Sequence, residues 1–298
     1  NEMMAVPDTQ QKGLVRAYSN GIVTYALSEA YGLTKVPFLK PAMEKGLRFI
    51  VNGQQRRGGW DYRYKLKEKD GSANLRWDLS VSGWQIQALK SGYVAGADVP
   101  GLVEAMDRGI TFVKEVTYEY DRSTGIGSFG YTTPGNGSWA MQGTGTLCLQ
   151  LLGEKNSDQA QKGVENIYEN ALRAGLVVWD EEEAGKVGHG GLCYAWYYET
   201  QAMFHAQGRR WDRWNREFSE QVVKNQKRDG HWETPASEKD ENNVGHKAYD
   251  PYYATALCCL MLEVYYRYLP TYKMPEAITR RPSLLDVDDD IDLGLEID

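Results

Sequence analysis

One pattern recurs five times along the 298-residue chain, and it limits the fold more than any other feature. The segments are Gly21–Gly32 (GIVTYALSEAYG), Ser80–Gly92 (SVSGWQIQALKSG), Gly143–Gly153 (GTGTLCLQLLG), Tyr197–Gly208 (YYETQAMFHAQG) and Tyr252–Tyr265 (YYATALCCLMLEVY). Aligning Ala26, Ala88, Leu147, Ala202 and Ala256 gives spacings of 62, 59, 55 and 54 residues. Each segment carries small and apolar residues on nearly all faces, so as a helix it must be covered on both sides. Between them lie four more polar segments, 36–54, 99–117, 157–173 and 211–226, with apolar positions three and four apart and charge on the other face. No alternating run reads as a strand. The chain is predicted to be all-α, a stack of hairpins of inner and outer helices, with long loops at 55–77, 120–138, 174–190 and 227–249. Repeats override the size prior of about 150 residues per domain, so residues 1–275 are expected to form a single domain.

Helix starts have local causes. Asp78 precedes LSVSGW and is placed to cap that helix. Asp250-Pro251 sets an acid before a proline in the first turn, where the missing N–H costs nothing. Pro37 and Pro100 read as similar starters.

The net charge of −7 is local. Residues 276–298 form an acidic tail whose end, 286–298 (DVDDDIDLGLEID), holds seven acids and no base. Without those seven, 34 of the 41 acids remain, equal to the 34 bases. A neutral body carries no electrostatic footprint for nucleic acid. The apolar stretch Tyr252–Tyr266 contains Glu263 and falls short of the roughly 20 residues of a membrane span. Cys148, Cys193, Cys258 and Cys259 are too few for a disulfide framework and read as buried thiols. The chain opens at Asn1, which is compatible with export or with a larger protein, and its compartment stays open.

Two loops share one motif. Gln54–Trp60 (QQRRGGW) and Gln226–Trp232 (QKRDGHW) both read Q-x-x-x-G-x-W directly after an outer helix, and Ser123–Phe129 (STGIGSF) is a weaker version. A Gln amide can bond carbonyls orphaned at a helix end, Gly allows a tight turn, and Trp stacks back on the hairpin. These features read as structural staples.

The motif resembles the QW repeat of the terpenoid cyclase and protein prenyltransferase superfamily. Over residues 15–270 the chain is similar to bacterial prenyltransferase/squalene oxidase repeat-containing proteins, through GIVTYALSEAYG, QQRRGGWDYR, DLSVSGWQIQALKSG, CYAWYYETQAMF, WDRWN and LEVYYRYLP. The resemblance implies an (α/α) toroid, a barrel of helical hairpins whose parallel inner helices surround a central cavity.

The catalytic residues of that superfamily do not carry over. Asp286-Val287-Asp288-Asp289 spells the cyclase Asp-x-Asp-Asp, but it lies in the acidic tail after the last inner helix. A protonating acid needs a dry cavity to raise its pKa and shield a cation. The tail also fails as an EF-hand loop, with Ile291 at the glycine position and Ile297 at the terminal glutamate position. The zinc triad of the prenyltransferases maps onto Gly191, Cys193 and Tyr253, so one ligand of three survives. A different set, His189 and Cys193 with His246, stays open. No nucleotide-binding loop, serine-hydrolase elbow or thioester motif is present. No cofactor and no metal are expected.

The resemblance places the N-termini of the inner helices on one rim. Asp78, Trp84, Trp139, Cys193, Tyr194, Tyr197 and Tyr253 lie near those starts, and Tyr62, Trp77, Tyr131 and His189 lie on loops preceding them. Together they are expected to bind a ligand in an aromatic-lined cleft. Helix N-termini favour an anionic or polar headgroup, and aromatics favour an apolar or sugar body. The leading expectation is a binding domain for an isoprenoid or other lipid, a sugar or a peptide, without the superfamily's catalytic residues. The alternatives are an active cyclase, transferase or carbohydrate-active enzyme using other acids, with Glu29, Glu199 and Glu263 as candidates, or a scaffold for protein partners. Elemental analysis of the untagged protein should find no stoichiometric zinc. One zinc per chain would contradict the assignment made from Gly191 and Tyr253.

Overall fold

A computed structural model describes residues 16–64, 66–67, 70–135, 140–169, 177–179, 191–233 and 251–266. They are mostly helical. The helices are α1 (Arg16–Thr34), α2 (Leu39–Gly53), α3 (Leu79–Ala95), α4 (Leu102–Thr111), α5 (Ala140–Leu151), α6 (Asp158–Ile167), α7 (Gly191–Ala206), α8 (Gly208–Lys224) and α9 (Pro251–Leu262). A π-helical turn, Phe112–Val116, extends α4, and a 3-10 turn, Glu263–Tyr266, extends α9. The odd-numbered helices carry the repeated apolar segments and alternate with the more polar α2, α4, α6 and α8; α3, α5 and α7 are covered on nearly all faces as expected, but α1 and α9 are not, with Ile22, Val23, Tyr252 and Tyr253 exposed.

Neighbouring inner helices pack in chain order, α1 on α3, α3 on α5, α5 on α7 and α7 on α9, and each of the first four carries its outer partner. Their direction follows from side-chain pairings. Tyr18 bonds Ser80 near the start of α3, while Lys35 Nζ, just past α1, donates to the Ala95 carbonyl at its end (3.0 Å), so α1 and α3 run parallel. Tyr194 reaches the Ser80 carbonyl (3.3 Å) and Tyr197 reaches Gln87 (3.0 Å), so α7 is parallel to α3. Gly143 meets Glu199 and Gln150 meets Ala202, so α5 is parallel to α7. Gly143 is what lets those two backbones approach, since an added Cβ would stand 2.7 Å from the Glu199 amide nitrogen. A short turn at the far end links each of these inner helices to its outer helix, so the long loops all arrive at the inner N-termini.

The two QW loops are built alike. Trp60 is buried, its indole N–H donates to the Ile50 carbonyl at the end of α2 (2.8 Å), and its amide donates to Ser82 Oγ (3.1 Å). Trp232 is buried, its indole donates to the Val222 carbonyl at the end of α8 (2.7 Å), and its amide donates to Thr255 Oγ1 (3.0 Å). Gln54 donates to the Gly58 carbonyl (2.8 Å) and Gln226 to the Gly230 carbonyl (2.9 Å). The orphaned helix carbonyl is therefore satisfied by the tryptophan, while Gln closes the turn. Gln54 also reaches the Ala105 carbonyl (2.8 Å) and so ties the first loop to the next hairpin.

Several expectations are corrected. The 120–138 region is not a plain loop: β1 (Tyr118–Asp121) and β2 (Ile126–Phe129) form an antiparallel hairpin that pairs Tyr118 with Phe129. The hairpin delivers Phe129 under α5, where the amide and carbonyl of Phe129 exchange bonds with the Gln142 side chain (2.9 and 3.0 Å). Pro37 and Pro100 sit in the turns before α2 and α4 rather than in their first helical positions, whereas Pro251 does begin α9. Cys148, Cys193 and Cys258 are buried, but Cys259 is exposed. Of the expected loops, 174–176, 180–190 and 234–249, the last including His246, lie outside the described residues, as do Asp250 and the tail 276–298.

Gly58 and Gly230 both hold left-handed φ, +91° and +93°. An alanine Cβ at 58 would overlap the Arg108 carbonyl, whereas at 230 it would meet nothing within 4 Å. Gly230→Ala should therefore cost about 1–2 kcal/mol and Gly58→Ala clearly more. Trp60→Ala and Trp232→Ala should each cost about 3–5 kcal/mol. Urea denaturation measures all four, and equal losses for the two glycines would contradict the packing.

Candidate functional site

The start of α3 gathers most of the expected residues. Asp78 has extended φ and ψ and caps the helix: one carboxylate oxygen accepts from the Ser80 amide (2.8 Å), the Ser80 hydroxyl (2.5 Å) and the Val81 amide (3.4 Å). Its other oxygen accepts from the Tyr62 hydroxyl (3.0 Å). Tyr18 shares a hydrogen bond with Ser80 Oγ, and Tyr194 donates to the Ser80 carbonyl. One acid, one serine and three phenols thus form a single network joining α1, the first long loop, α3 and α7.

Below this network the aromatics are packed. Trp84 stacks on Tyr197 with ring centroids 5.2 Å apart and planes at 16°. Tyr198 meets Tyr197 edge-on (4.9 Å) and Tyr194 at a tilt (5.0 Å), and Tyr25 closes on Trp84 (6.4 Å). Trp84, Tyr194 and Tyr197 are buried, as is Cys193 in the first turn of α7. Above the network the surface is half-open. Tyr62, Trp77 and Tyr131 are partly exposed. The Trp77 indole donates to the Thr132 carbonyl (2.7 Å), and the Tyr131 carbonyl accepts the Leu79 amide (2.7 Å). Arg57 lies over the Trp77 ring (5.6 Å) and Arg76 over the Tyr62 ring (5.5 Å).

The structure thus joins Tyr62, Asp78, Trp84, Tyr194 and Tyr197 by direct contacts and sets Trp77 and Tyr131 beside them. Tyr253 is separate: it is exposed on α9, which packs on α7. Trp139 and His189 lie outside the described residues. Among the described residues no group of three His, Cys, Asp or Glu is placed to hold a metal ion. No described helix is long and apolar enough to cross a membrane.

One electrostatic expectation changes. The amides at the start of α3 already bond the Asp78 carboxylate, so an anion there would face a resident negative charge. The Arg57 and Arg76 guanidinium groups over the Trp77 and Tyr62 faces would likewise repel a cation, so the rim suits a neutral, hydroxyl-rich group better. Burial and the Asp78 charge push the Tyr62 hydroxyl up to about 12, and burial pushes Tyr18 higher still. Both phenols therefore stay protonated and act as donors at neutral pH.

Some participants were missed. Tyr18 lies just before the first repeated segment. Arg57 and Arg76 are ordinary loop arginines in sequence, although Arg76 does adjoin Trp77-Asp78. Trp179 was also overlooked: its amide donates to Gln221 Oε1 (3.1 Å) and its ring meets Trp196 (6.1 Å). Lys90 had a visible signal, a lone cation in an otherwise uncharged helix. It is buried in α3, and desolvation lowers its pKa to about 7.

A scan of known protein-family models gives no match to this chain, and a search of curated proteins gives none.

The shifts fix a pH dependence. Between about pH 7 and 10.5 unfolded Lys90 holds a proton that the folded form lacks, so its contribution to stability falls as pH drops through that window. Between 10.0 and about 12 unfolded Tyr62 has lost a proton that the folded form keeps, so stability falls as pH rises. Urea midpoints across pH should show Lys90→Met flattening the lower limb and Tyr62→Phe reducing the upper decline. Unchanged profiles in both variants would contradict these environments.

Proposed function

We propose that the chain is a cyclase- and prenyltransferase-like α/α toroid that binds an organic ligand at the rim formed by the inner-helix N-termini, without the superfamily's acid motif or zinc triad. The observation that carries this reading is the half-open aromatic surface of Tyr62, Trp77 and Tyr131 above the hydrogen-bonded Asp78 carboxylate. The parallel inner helices and the QW staples support the toroid, because they turn successive hairpins the same way. The ligand has an apolar or sugar body and a neutral, hydroxyl-rich head: an isoprenoid or other lipid, a glycan or a peptide. The half-open aromatics take the body, and the Tyr62 hydroxyl with the Arg57 and Arg76 guanidinium groups beside the rings takes the head.

The test is mass spectrometry of organic extracts from the purified protein, followed by titration of whatever co-purifies. Tyr62→Ala and Trp77→Ala should each weaken binding about tenfold. Trp211→Ala, on the outer helix α8, should leave it unchanged. Turnover of a prenyl diphosphate or of squalene would replace this reading with an enzymatic one. An empty extract, with no binding across lipid, glycan and peptide panels, would refute it.

A further inference from the structure

Outer helices of a hairpin stack show one face to solvent, and that face is ordinarily polar. On α4 and its π turn the exposed residues are Glu104, Arg108, Thr111 and Glu115, and those of α8 include Arg209, Asp212, Arg216 and Glu220. The first outer helix departs from this. Its exposed stripe runs Phe38, Pro41, Lys45, Arg48, Phe49 and Asn52 at helical spacing, with Phe38 76% and Phe49 51% exposed. The stripe contains no acid. Residues 35–57 hold six bases and one acid, Glu44, which already lies 3.7 Å from Lys40 and 3.9 Å from Arg48.

The complement of this face stands in the same chain. Residues 286–298, outside the described residues, hold seven acids and no base. Val287, Ile291, Leu293, Leu295 and Ile297 share one parity there, so an extended chain presents apolar groups on one side. The rest of the chain is neutral in sum, and its densest other acidic run, 180–183 (DEEE), holds four acids against the seven of this segment. We propose that segment 286–298 docks along the solvent face of α2, with carboxylates on Lys45 and Arg48 and apolar side chains over Phe38 and Phe49.

Lengths allow it. From Phe38 to Asn52 the stripe is about 21 Å long, matched by roughly seven extended residues. The nineteen residues between Tyr266 and Asp286 make twenty Cα–Cα steps that can span up to roughly 66 Å, well beyond the roughly 19 Å radius of gyration expected for a compact chain of this length. Exposed charge pairs of this kind weaken as salt shortens the Debye length from about 10 Å at 0.1 M to about 3 Å at 1 M.

The test is zero-length carbodiimide coupling of the full chain, prepared from a mixture of isotopically light and heavy copies and read by mass spectrometry. Lys40 or Lys45 should couple to acids within 286–298 of the same copy. Arg48→Glu/Phe49→Asp should lower that yield about tenfold, as should Asp288→Asn/Asp289→Asn/Asp290→Asn, with melting temperatures unchanged. Coupling spread equally over Lys155, Lys162 and Lys224 would overturn the proposal, as would coupling found only between copies. Binding of the full chain to phosphatidylglycerol vesicles that Phe49→Asp abolishes, with no tail coupling, would assign the face to an anionic lipid surface and also overturn it.

Discussion

A single hydrogen bond, from an indole N–H to a carbonyl left open at the end of an outer helix, organises much of this structure. Trp60 makes it to Ile50 and Trp232 makes it to Val222. Each bond removes the penalty of an unsatisfied buried carbonyl and turns the ring into the gap between one hairpin and the next. The same tryptophan then donates its amide to a hydroxyl on the following inner helix, Ser82 or Thr255. One residue therefore fixes where an outer helix stops and where the next inner helix lies. Phe129 and Trp179 make no such indole bond to a helix end: Phe129 is brought to α5 by a β-hairpin, and Trp179 donates its amide to Gln221.

That arrangement has a consequence for what meets at the start of α3. Because α1, α3, α5 and α7 run parallel, the starts of α3, α5 and α7 lie at the same end. The Asp78 network stands there, with Tyr62 from the first long loop, Tyr18 from α1 and Tyr194 from α7 converging on the start of α3. The stack of Trp84, Tyr197 and Tyr198 is buried beneath it, while hydrogen bonds to Asp78, to the Thr132 carbonyl and from the Leu79 amide hold Tyr62, Trp77 and Tyr131 at the surface.

Much of the helical plan was legible in the sequence, because all-round apolar segments alternate with one-sided ones. The Asp78 cap and the two QW turns were legible because their chemistry is local. The β-hairpin was not: Tyr118–Asp121 and Ile126–Phe129 are short and mostly exposed, and their pairing is stabilised by Phe129 packing under α5, a tertiary effect. The candidate site was legible in part. Position near a helix start placed Tyr62, Trp77, Asp78 and Tyr131 together, but it did not separate half-open residues from buried ones. Cys193 and Tyr197 face neighbouring helices, and that depends on the rotation of α7, which an all-round apolar sequence does not specify. Arg57 and Arg76 gain meaning only once their loops fold over Trp77 and Tyr62.

Hydroxyl-radical footprinting of the full chain, with and without its extracted ligand, tests the central claim most directly. Trp60, Trp232 and Tyr197 should resist oxidation throughout. Tyr62, Trp77 and Tyr131 should oxidise at intermediate rates and become protected together by the ligand, while Tyr252 stays reactive. Rapid oxidation of Trp60 and Trp232, or protection of Tyr252 with none at Tyr62, Trp77 and Tyr131, would contradict an indole-stapled helix stack that binds at this rim.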